Sequence, residues 1–248
     1  MKVSFLEKSY IAILMVILVG IVVHAPLSVW LGTTFPDYSL LIKSWKELLL
    51  VAAALTAATI LTRRKFWSEI FQDRLVQIIT MYVALHCVMV VTFQHDFIAS
   101  AVGLAIDLRY VLFFSLVYIA LKLFPQYRKR FLWLAIIGAC VVVGFATLQL
   151  FLPADILSYI GYDKDTIMPY LTVDQNPDFV RVNSTLRGPN PLGAYVGIVI
   201  GLIAAALVCK KLDLRSQKIR IFMSALTVCS LVALWLSYSR SALVAGFV

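Results

Sequence analysis

The sequence predicts an all-α protein: a polytopic transmembrane helix bundle of about eight spans with a cytoplasmic N-terminus. Hydrophobic residues make up 62% of its 248 residues and the mean hydropathy is +0.92, whereas a soluble domain is roughly half apolar. Apolar runs of about 20 residues, the length needed to cross a hydrocarbon core about 30 Å thick, recur between short charged clusters. The strands of a transmembrane barrel would alternate every second residue instead. These observations therefore favour membrane helices.

The apolar runs locate the spans in order along the chain. Candidate spans cover residues 9–31, 45–61, 75–93, 104–123, 131–152, 191–209 and 221–237. An eighth run begins near Ser239 and is still apolar where the sequence stops at Val248, so we expect an incomplete last span. The chain then divides into a five-span bundle at 1–152, an extracytoplasmic loop at 153–190, and a second group of spans at 191–248.

The distribution of lysine and arginine orients these spans. One side of the arrangement holds seven of the 22 basic residues, namely Lys43, Lys46, Arg109, Lys164, Arg181, Arg187 and Arg240, and the other side holds the remaining 15. Cytoplasmic loops are enriched in Lys and Arg, which predicts a cytoplasmic N-terminus and an exterior loop at 153–190. Basic residues alternate with the spans and do not share one surface, so the net charge of +9 indicates a lipid bilayer and no nucleic acid as partner.

Arginines recur at the predicted outer ends of inward-running spans. Arg109 lies near the start of the fourth span, Arg187 precedes the sixth, and Arg240 opens the eighth. Asn190 suits the N-cap position and Pro191 the first position of a helix. A cation beside the positive end of a helix dipole is suited to binding an anion. The alternative is that these side chains extend to lipid phosphates, although apolar sequence on both sides of Arg109 and Arg240 predicts a shielded partner for each.

Acidic residues add further candidates. Asp107 is two residues from Arg109, a spacing that does not bring two side chains together on a helix, so Asp107 is a candidate substrate contact. The 153–190 loop carries five aspartates, at 155, 163, 165, 174 and 178. Together with the loop's tyrosines they could contact sugar hydroxyls, and an ordinary solvated loop is the alternative. His95 beside Asp96 is a candidate base with its orienting group, although adjacent side chains commonly point apart.

Small residues repeat every four positions in the sixth span, at Gly193, Gly197, Gly201 and Ala205. They share one helix face and allow another helix to approach closely. We expect this face to hold the Arg187 turn against a neighbouring helix.

The C-terminal part of the chain resembles a known family. Arg181, the segment RGPNPLG at 187–193 and the segment LSYSRSA at 236–242 are similar, in order and separation, to the arginine, Asn-Pro and Ser-Arg-Ser motifs of the O-antigen ligase/polymerase (Wzy/WaaL-like) superfamily of bacterial envelope enzymes. The close resemblance covers about residues 180–248, so the region at 191–248 reads as the start of an O-antigen ligase-like core.

This resemblance implies a metal-independent glycosyl transfer at the outer face of the bacterial cytoplasmic membrane, with no cofactor. The donor would be a polyprenyl-pyrophosphate-linked glycan and the acceptor a glycan, lipid or protein. Arg187 and Arg240 are the implied catalytic residues, since guanidinium groups stabilise the charge on a departing pyrophosphate. Arg181, Asn190 and Ser239 are the implied substrate contacts, and Arg109 and Asp107 are candidate auxiliary substrate contacts. Either Arg181 or Arg187 could be the family arginine, and the base, usually a histidine in a later outer loop, is expected beyond Val248.

Two other classes remain open on the sequence alone. A transporter or flippase for an anionic lipid-linked substrate would use the same arginines without chemistry, and it should show repeated halves or broken helices. A structural membrane scaffold would tolerate the loss of all three arginines. No phosphate-binding glycine loop, His-Glu-x-x-His sequence or Cys/His spacing predicts nucleotide or metal chemistry.

Overall fold

A computed structural model describes residues 4–93, 96–210 and 216–247, and within them the fold is all-α apart from one short hairpin. Four residues on which the predictions above depend lie outside the described residues. They are His95, the candidate base, and Lys2, Lys211 and Arg215, which belong to the count of basic residues. The helices are α1 Phe5–Thr34, α2 Ser39–Arg64, α3 Trp67–Phe71, α4 Arg74–Phe93, α5 Phe97–Leu123, α6 Arg128–Leu148, α7 Pro189–Val208, α8 Gln217–Leu236 and α9 Arg240–Phe247. The strands are β1 Leu171–Val173 and β2 Asn176–Arg181.

Seven of the described helices are long and apolar enough to cross a membrane: α1, α2, α4, α5, α6, α7 and α8. Each overlaps one of the first seven predicted spans, which confirms the all-α, membrane-type fold class. By helix length and composition, the chain is a multi-pass membrane protein.

Helix α5, which corresponds to the fourth predicted span, begins earlier than the sequence indicated. A start near residue 104 was predicted from hydropathy, but Asp96 caps the helix by accepting hydrogen bonds from the backbone N–H groups of Ile98 and Ala99, at 2.8 and 3.2 Å. Satisfying these terminal N–H groups allows the helix to start at Phe97. Arg109 consequently lies near the middle of α5 and not near its start.

The chain divides into two compact units. The first comprises Met1–Leu18 and Ser44–Leu132, and the second Val19–Lys43 and Trp133–Val248. In the first unit, Tyr10 and Leu14 of α1 pack against small residues of α2 and α5, Ala53 and Ala120, and all four are fully buried. The buried Tyr10 hydroxyl donates to the Leu116 carbonyl at 2.7 Å, which satisfies the one polar atom that this side chain brings into the core.

The second unit carries the loop region and the last three helices. Its core joins Val142 and Val143 of α6 to Leu192 and Val196 of α7 and Leu234 of α8. The loop after α6 contains the antiparallel β1–β2 hairpin, in which Leu171 pairs with Arg181 and Val173 with Asn176. This hairpin was not predicted. It brings Arg181 to the end of a strand, within reach of the turn between α8 and α9.

Candidate anion-binding site

Arg181, the last residue of β2, is hydrogen bonded to the turn between α8 and α9. Its Nε donates to the Ser237 carbonyl at 3.0 Å, and its Nη2 donates to the Asn190 side-chain oxygen at 2.7 Å and to the Tyr238 carbonyl at 3.5 Å. The next residue, Val182, donates its backbone N–H to the Leu236 carbonyl at 3.1 Å. All of these acceptors are neutral, so Arg181 is fixed in place while its positive charge is retained.

The segment that follows Arg181 is anchored by buried polar contacts. Ser184 is fully buried, adopts a positive φ of 56°, and donates from its hydroxyl to the Val142 carbonyl at 2.5 Å. Its backbone N–H donates to the Gln149 side-chain oxygen at 2.7 Å. These bonds connect the strand end to α6, and a non-glycine residue keeps a left-handed conformation only where its surroundings impose it.

The turn between α8 and α9 is equally constrained. Ser237 is fully buried and Ser239 is 2% exposed. Between them Tyr238 has a φ of 46°, unusual for a bulky residue. The Ser239 backbone N–H donates to the Ser237 hydroxyl at 3.3 Å, and the Tyr238 ring packs edge-on against Phe179 of β2. Immediately after this turn, Arg240 is the first residue of α9.

The start of α7 differs from the prediction. Asn190 was expected to be the N-cap with the helix starting at Pro191, but Gly188 occupies the N-cap position and the helix starts at Pro189. Asn190 therefore lies within the first turn, where its side chain accepts the bond from Arg181. Because its oxygen is used in this way, its amide nitrogen remains as a donor that can face a ligand.

Gly193 allows α7 to approach the α8–α9 turn closely. A Cβ at this position would lie 2.7 Å from the Ala242 Cβ and 2.9 Å from the Ser239 Cβ. The expected close approach is therefore present at Gly193. It is absent at Gly197 and Gly201, where a Cβ would meet nothing within 4 Å, so the predicted packing stripe is wrong at these two positions. The contact at Gly193 fixes the segment that carries Arg240.

These elements line an open cavity of about 600 Å³. It is lined by Thr172, Val173, Asp174, Arg181, Asn190, Tyr238, Arg240 and Ser241. The hairpin, the first turn of α7 and the start of α9 thus contribute to one site, although they are separated in sequence. Such a volume is within the range of cavities that hold small ligands.

The charged residues that line the cavity, two arginines and Asp174, carry a net positive charge. Two guanidinium groups line it, and among the described residues neither Arg181 nor Arg240 lies within 4 Å of a carboxylate. Arg240 is exposed, and the shielded partner predicted for it is not present in the described part of the chain. Guanidinium groups present planar pairs of donors that match phosphate oxygens. With the Asn190 amide and the Ser241 hydroxyl, the site offers charged and neutral donors suited to an oxyanion.

The other residues predicted from sequence lie in different settings. Arg187 is exposed and does not line this cavity, and Ser239 is buried against Gly193 while its neighbour Ser241 lines the cavity. Arg109 belongs to the first unit, where Nη1 lies 3.3 Å from Glu47 Oε1 and the guanidinium lies 4.7 Å from the centre of the Tyr110 ring. Glu47 is therefore the partner predicted for Arg109. Asp107, also in the first unit, is exposed.

The loop aspartates differ from one another. Asp163 closes a local turn, accepting from the backbone N–H groups of Asp165 and Thr166 at 2.8 Å each, and hydrogen bonding with Thr166 lowers the pKa of its carboxyl below the usual value. Asp174, at the hairpin tip, lines the cavity instead. Sequence reasoning did not single out Asp174, Tyr238 or Ser241 for the site. Ser241 and Tyr238 flank the Ser-Arg motif, which was a usable signal, but nothing local distinguished Asp174.

Comparison of the chain with protein-family models, with curated proteins and with solved structures found no match.

Proposed function

We propose that this chain is part of an integral membrane glycan polymerase or ligase of the O-antigen ligase type. It transfers a polyprenyl-pyrophosphate-linked oligo- or polysaccharide to a glycan, lipid or protein acceptor in cell-envelope polysaccharide synthesis. The observation that carries the proposal is that Arg181 and Arg240, 59 positions apart in the sequence, line one cavity without a carboxylate partner. The motif resemblance associates both of them, together with Arg187, with the donor.

In this proposal the cavity binds the pyrophosphate of the donor. As the glycosidic bond breaks, negative charge develops on the departing phosphate oxygen. The Arg181 guanidinium, held in advance by its hydrogen bonds, and the Arg240 guanidinium, at the helix start that packs against Gly193, stabilise that charge. Asn190 and Ser241 supply neutral donors to the remaining oxygens. In this proposal Arg181 takes the catalytic role that the resemblance implied for Arg187, since Arg181 lines the cavity and Arg187 does not.

The proposal also specifies orientation and compartment. The N-terminus lies in the cytoplasm, the chain has eight spans with α9 beginning the eighth, and the cavity faces the outer side of a bacterial cytoplasmic membrane. The support is the excess of lysine and arginine on the side opposite the cavity.

The test is replacement of Arg240 by alanine in the full-length protein. Removing one preorganised donor to a developing oxyanion typically costs about 10²–10³-fold in rate, so we expect glycan extension or attachment to fall by that factor with membrane insertion unchanged. Arg240→Lys should recover little, because lysine cannot make the paired contact. The readout is the length distribution and attachment of the glycan in a strain that lacks its own copy.

Arg187→Ala is the matched control, since it removes an exposed arginine outside the cavity. We expect it to reduce transfer much less than Arg240→Ala. Equal loss in both variants would indicate a general effect of charge, and normal glycan in Arg240→Ala would refute the assignment. If Arg240→Ala abolishes movement of the lipid-linked substrate across the membrane and not its transfer, the site belongs to a transporter.

A further inference from the structure

The hairpin brings a carboxylate to the arginine cavity. Asp174 and Gln175 are the two central residues of the turn between β1 and β2, and both have positive φ, 50° and 61°. This is the type I′ conformation, which matches the twist of the flanking strands and favours Asn, Asp and Gly. The turn holds Asp174 at the tip of the hairpin, where it lines the cavity together with Arg181 and Arg240.

Asp174 is not neutralised by these arginines. No ion pair within 4 Å joins it to either guanidinium in the described chain. In the same loop, Asp163 is engaged by the N–H groups of its own turn. Asp174 thus combines a fixed backbone, an accessible carboxylate and a position beside the anion donors.

One requirement of the proposed transfer is still unmet by the residues described so far. The hydroxyl of the acceptor must lose its proton when its oxygen attacks the sugar carbon that bears the pyrophosphate. Arginine remains protonated in proteins and cannot accept this proton, whereas a carboxylate within hydrogen-bond reach can. The family resemblance implies a histidine beyond Val248 for this role, whereas among the described residues that line the cavity Asp174 supplies a carboxylate.

We propose that Asp174 binds the acceptor hydroxyl and accepts its proton. This inference rests on the proposed function. In the step, the acceptor oxygen forms a bond to the anomeric carbon and the bond from that carbon to the phosphate oxygen breaks. The electron pair leaves with the pyrophosphate, which Arg181 and Arg240 bind, and the hydroxyl proton passes to the Asp174 carboxylate. The acceptor class is a hydroxyl-bearing sugar, to which the cavity offers the Asp174 carboxylate in addition to the two arginines that bind the donor.

The experiment compares Asp174→Asn with Asp178→Asn in the full-length protein. Asparagine tolerates positive φ as well as aspartate does, so the first variant removes the charge and keeps the turn. Asp178 lies on β2 of the same hairpin, is exposed, and does not line the cavity, which makes Asp178→Asn the matched control. Transfer is measured in membranes of a strain lacking its own copy, with the host's lipid-linked glycan as donor. Binding is measured with farnesyl pyrophosphate on the purified protein.

We expect Asp174→Asn to lower the transfer rate by about 10²–10⁴-fold, the usual contribution of a general base. Farnesyl pyrophosphate binding should be unchanged or tighter, because a negative charge is removed beside two arginines. Asp174→Glu should recover part of the rate with a shifted pH profile. Asp178→Asn should transfer at the unaltered rate.

Three results would overturn the inference, and they are distinguishable. If Asp174→Asn transfers at the unaltered rate while Arg240→Ala does not, Asp174 is not the proton acceptor and the proposed function stands. If the unaltered protein neither transfers glycan nor binds farnesyl pyrophosphate, the proposed function and this inference both fail. Loss of farnesyl pyrophosphate binding in Asp174→Asn would also contradict the inference, because Asp174 would then be required for binding the donor and not for accepting the proton.

Discussion

In the first unit, three basic side chains are each paired with a carboxylate from another part of the chain. Arg64 of α2 bonds Glu7 of α1 at 2.8 Å. Arg109 of α5 lies 3.3 Å from Glu47 of α2, and Lys122 of α5 pairs with Asp73, which precedes α4. In the second unit Arg181 is bound to two carbonyls and an amide, and Arg240 to no carboxylate in the described residues.

The difference separates structural charges from charges available to a ligand. A paired carboxylate neutralises its cation within the fold, so the pair joins helices that would otherwise expose a charge to lipid. Carbonyl and amide oxygens fix a guanidinium without removing its charge, which leaves it able to bind an anion. Position at the outer end of a span was the sequence criterion for a site, but it does not distinguish Arg109 from Arg240. Their partners do.

Replacement of Arg181 by alanine should have the largest effect, because this residue has both roles. Transfer should fall by about 10²–10³-fold through loss of an anion donor. The free energy of unfolding in detergent should fall by about 1–3 kcal/mol, since acceptors that it bonded lose their donor. Arg240→Ala should lose the activity and change the unfolding free energy by less than about 0.5 kcal/mol. Equal stability loss in the two variants would remove the distinction drawn between them.

Glu47→Ala should destabilise the first unit by about 2.5–3.5 kcal/mol, the cost of an unpaired charge near the centre of a membrane helix. Removing Arg109 as well should restore most of this loss, because no unpaired cation then remains. A double-mutant cycle on unfolding free energies in detergent measures the coupling. Additive effects of the two substitutions would show that the pair contributes nothing and that Arg109 is free for another partner.

A methyl group at Gly193 tests how the second unit holds Arg240. Gly193→Ala places a Cβ at 2.7 Å from Ala242, and such overpacking typically costs about 1–3 kcal/mol. Gly197→Ala is the control four residues away: it meets nothing within 4 Å and should be neutral or stabilising by up to about 1 kcal/mol, the helix preference for alanine over glycine. Thermal unfolding in detergent and a transfer assay measure both variants. Equal behaviour would refute the close approach.

The smallest expected effect is the pH response of the Asp73 pair. The hydrogen bonds from Lys122 and then from Tyr118 lower the pKa of Asp73 from 3.8 to about 2. A carboxyl with a lowered pKa stabilises the folded state above its unfolded pKa and loses this contribution as the pH falls through the folded value. We therefore expect a decrease in melting temperature between about pH 4 and pH 2 that Asp73→Asn removes. An unchanged slope in that variant would show that other carboxyls dominate.

The helices were largely predictable from the sequence. The hydrocarbon core of a membrane requires apolar helices of about one length, and every backbone group in it must be hydrogen bonded within the protein. Both requirements leave apolar runs that can be recognised in the sequence. Helix ends were harder, because they depend on single capping bonds. Asp96 moved the start of α5 to Phe97, and Gly188 took the N-cap position expected for Asn190. Hydropathy averages over many residues and does not detect these local contacts.

The candidate site was only half visible in the sequence. The motifs alone selected Arg181, Arg187, Asn190 and Arg240, and the arginines also stand out because charges beside apolar spans are costly. Only the tertiary structure favoured Arg181 over Arg187, paired Arg109 with Glu47, and brought Asp174 to the arginine cavity. The outcomes in the second unit depend on a two-residue turn, one close contact at Gly193 and the strand end at Arg181, and the Arg109 pair depends on a contact between α5 and α2. Contacts between distant residues of this kind leave no periodic signal along the chain.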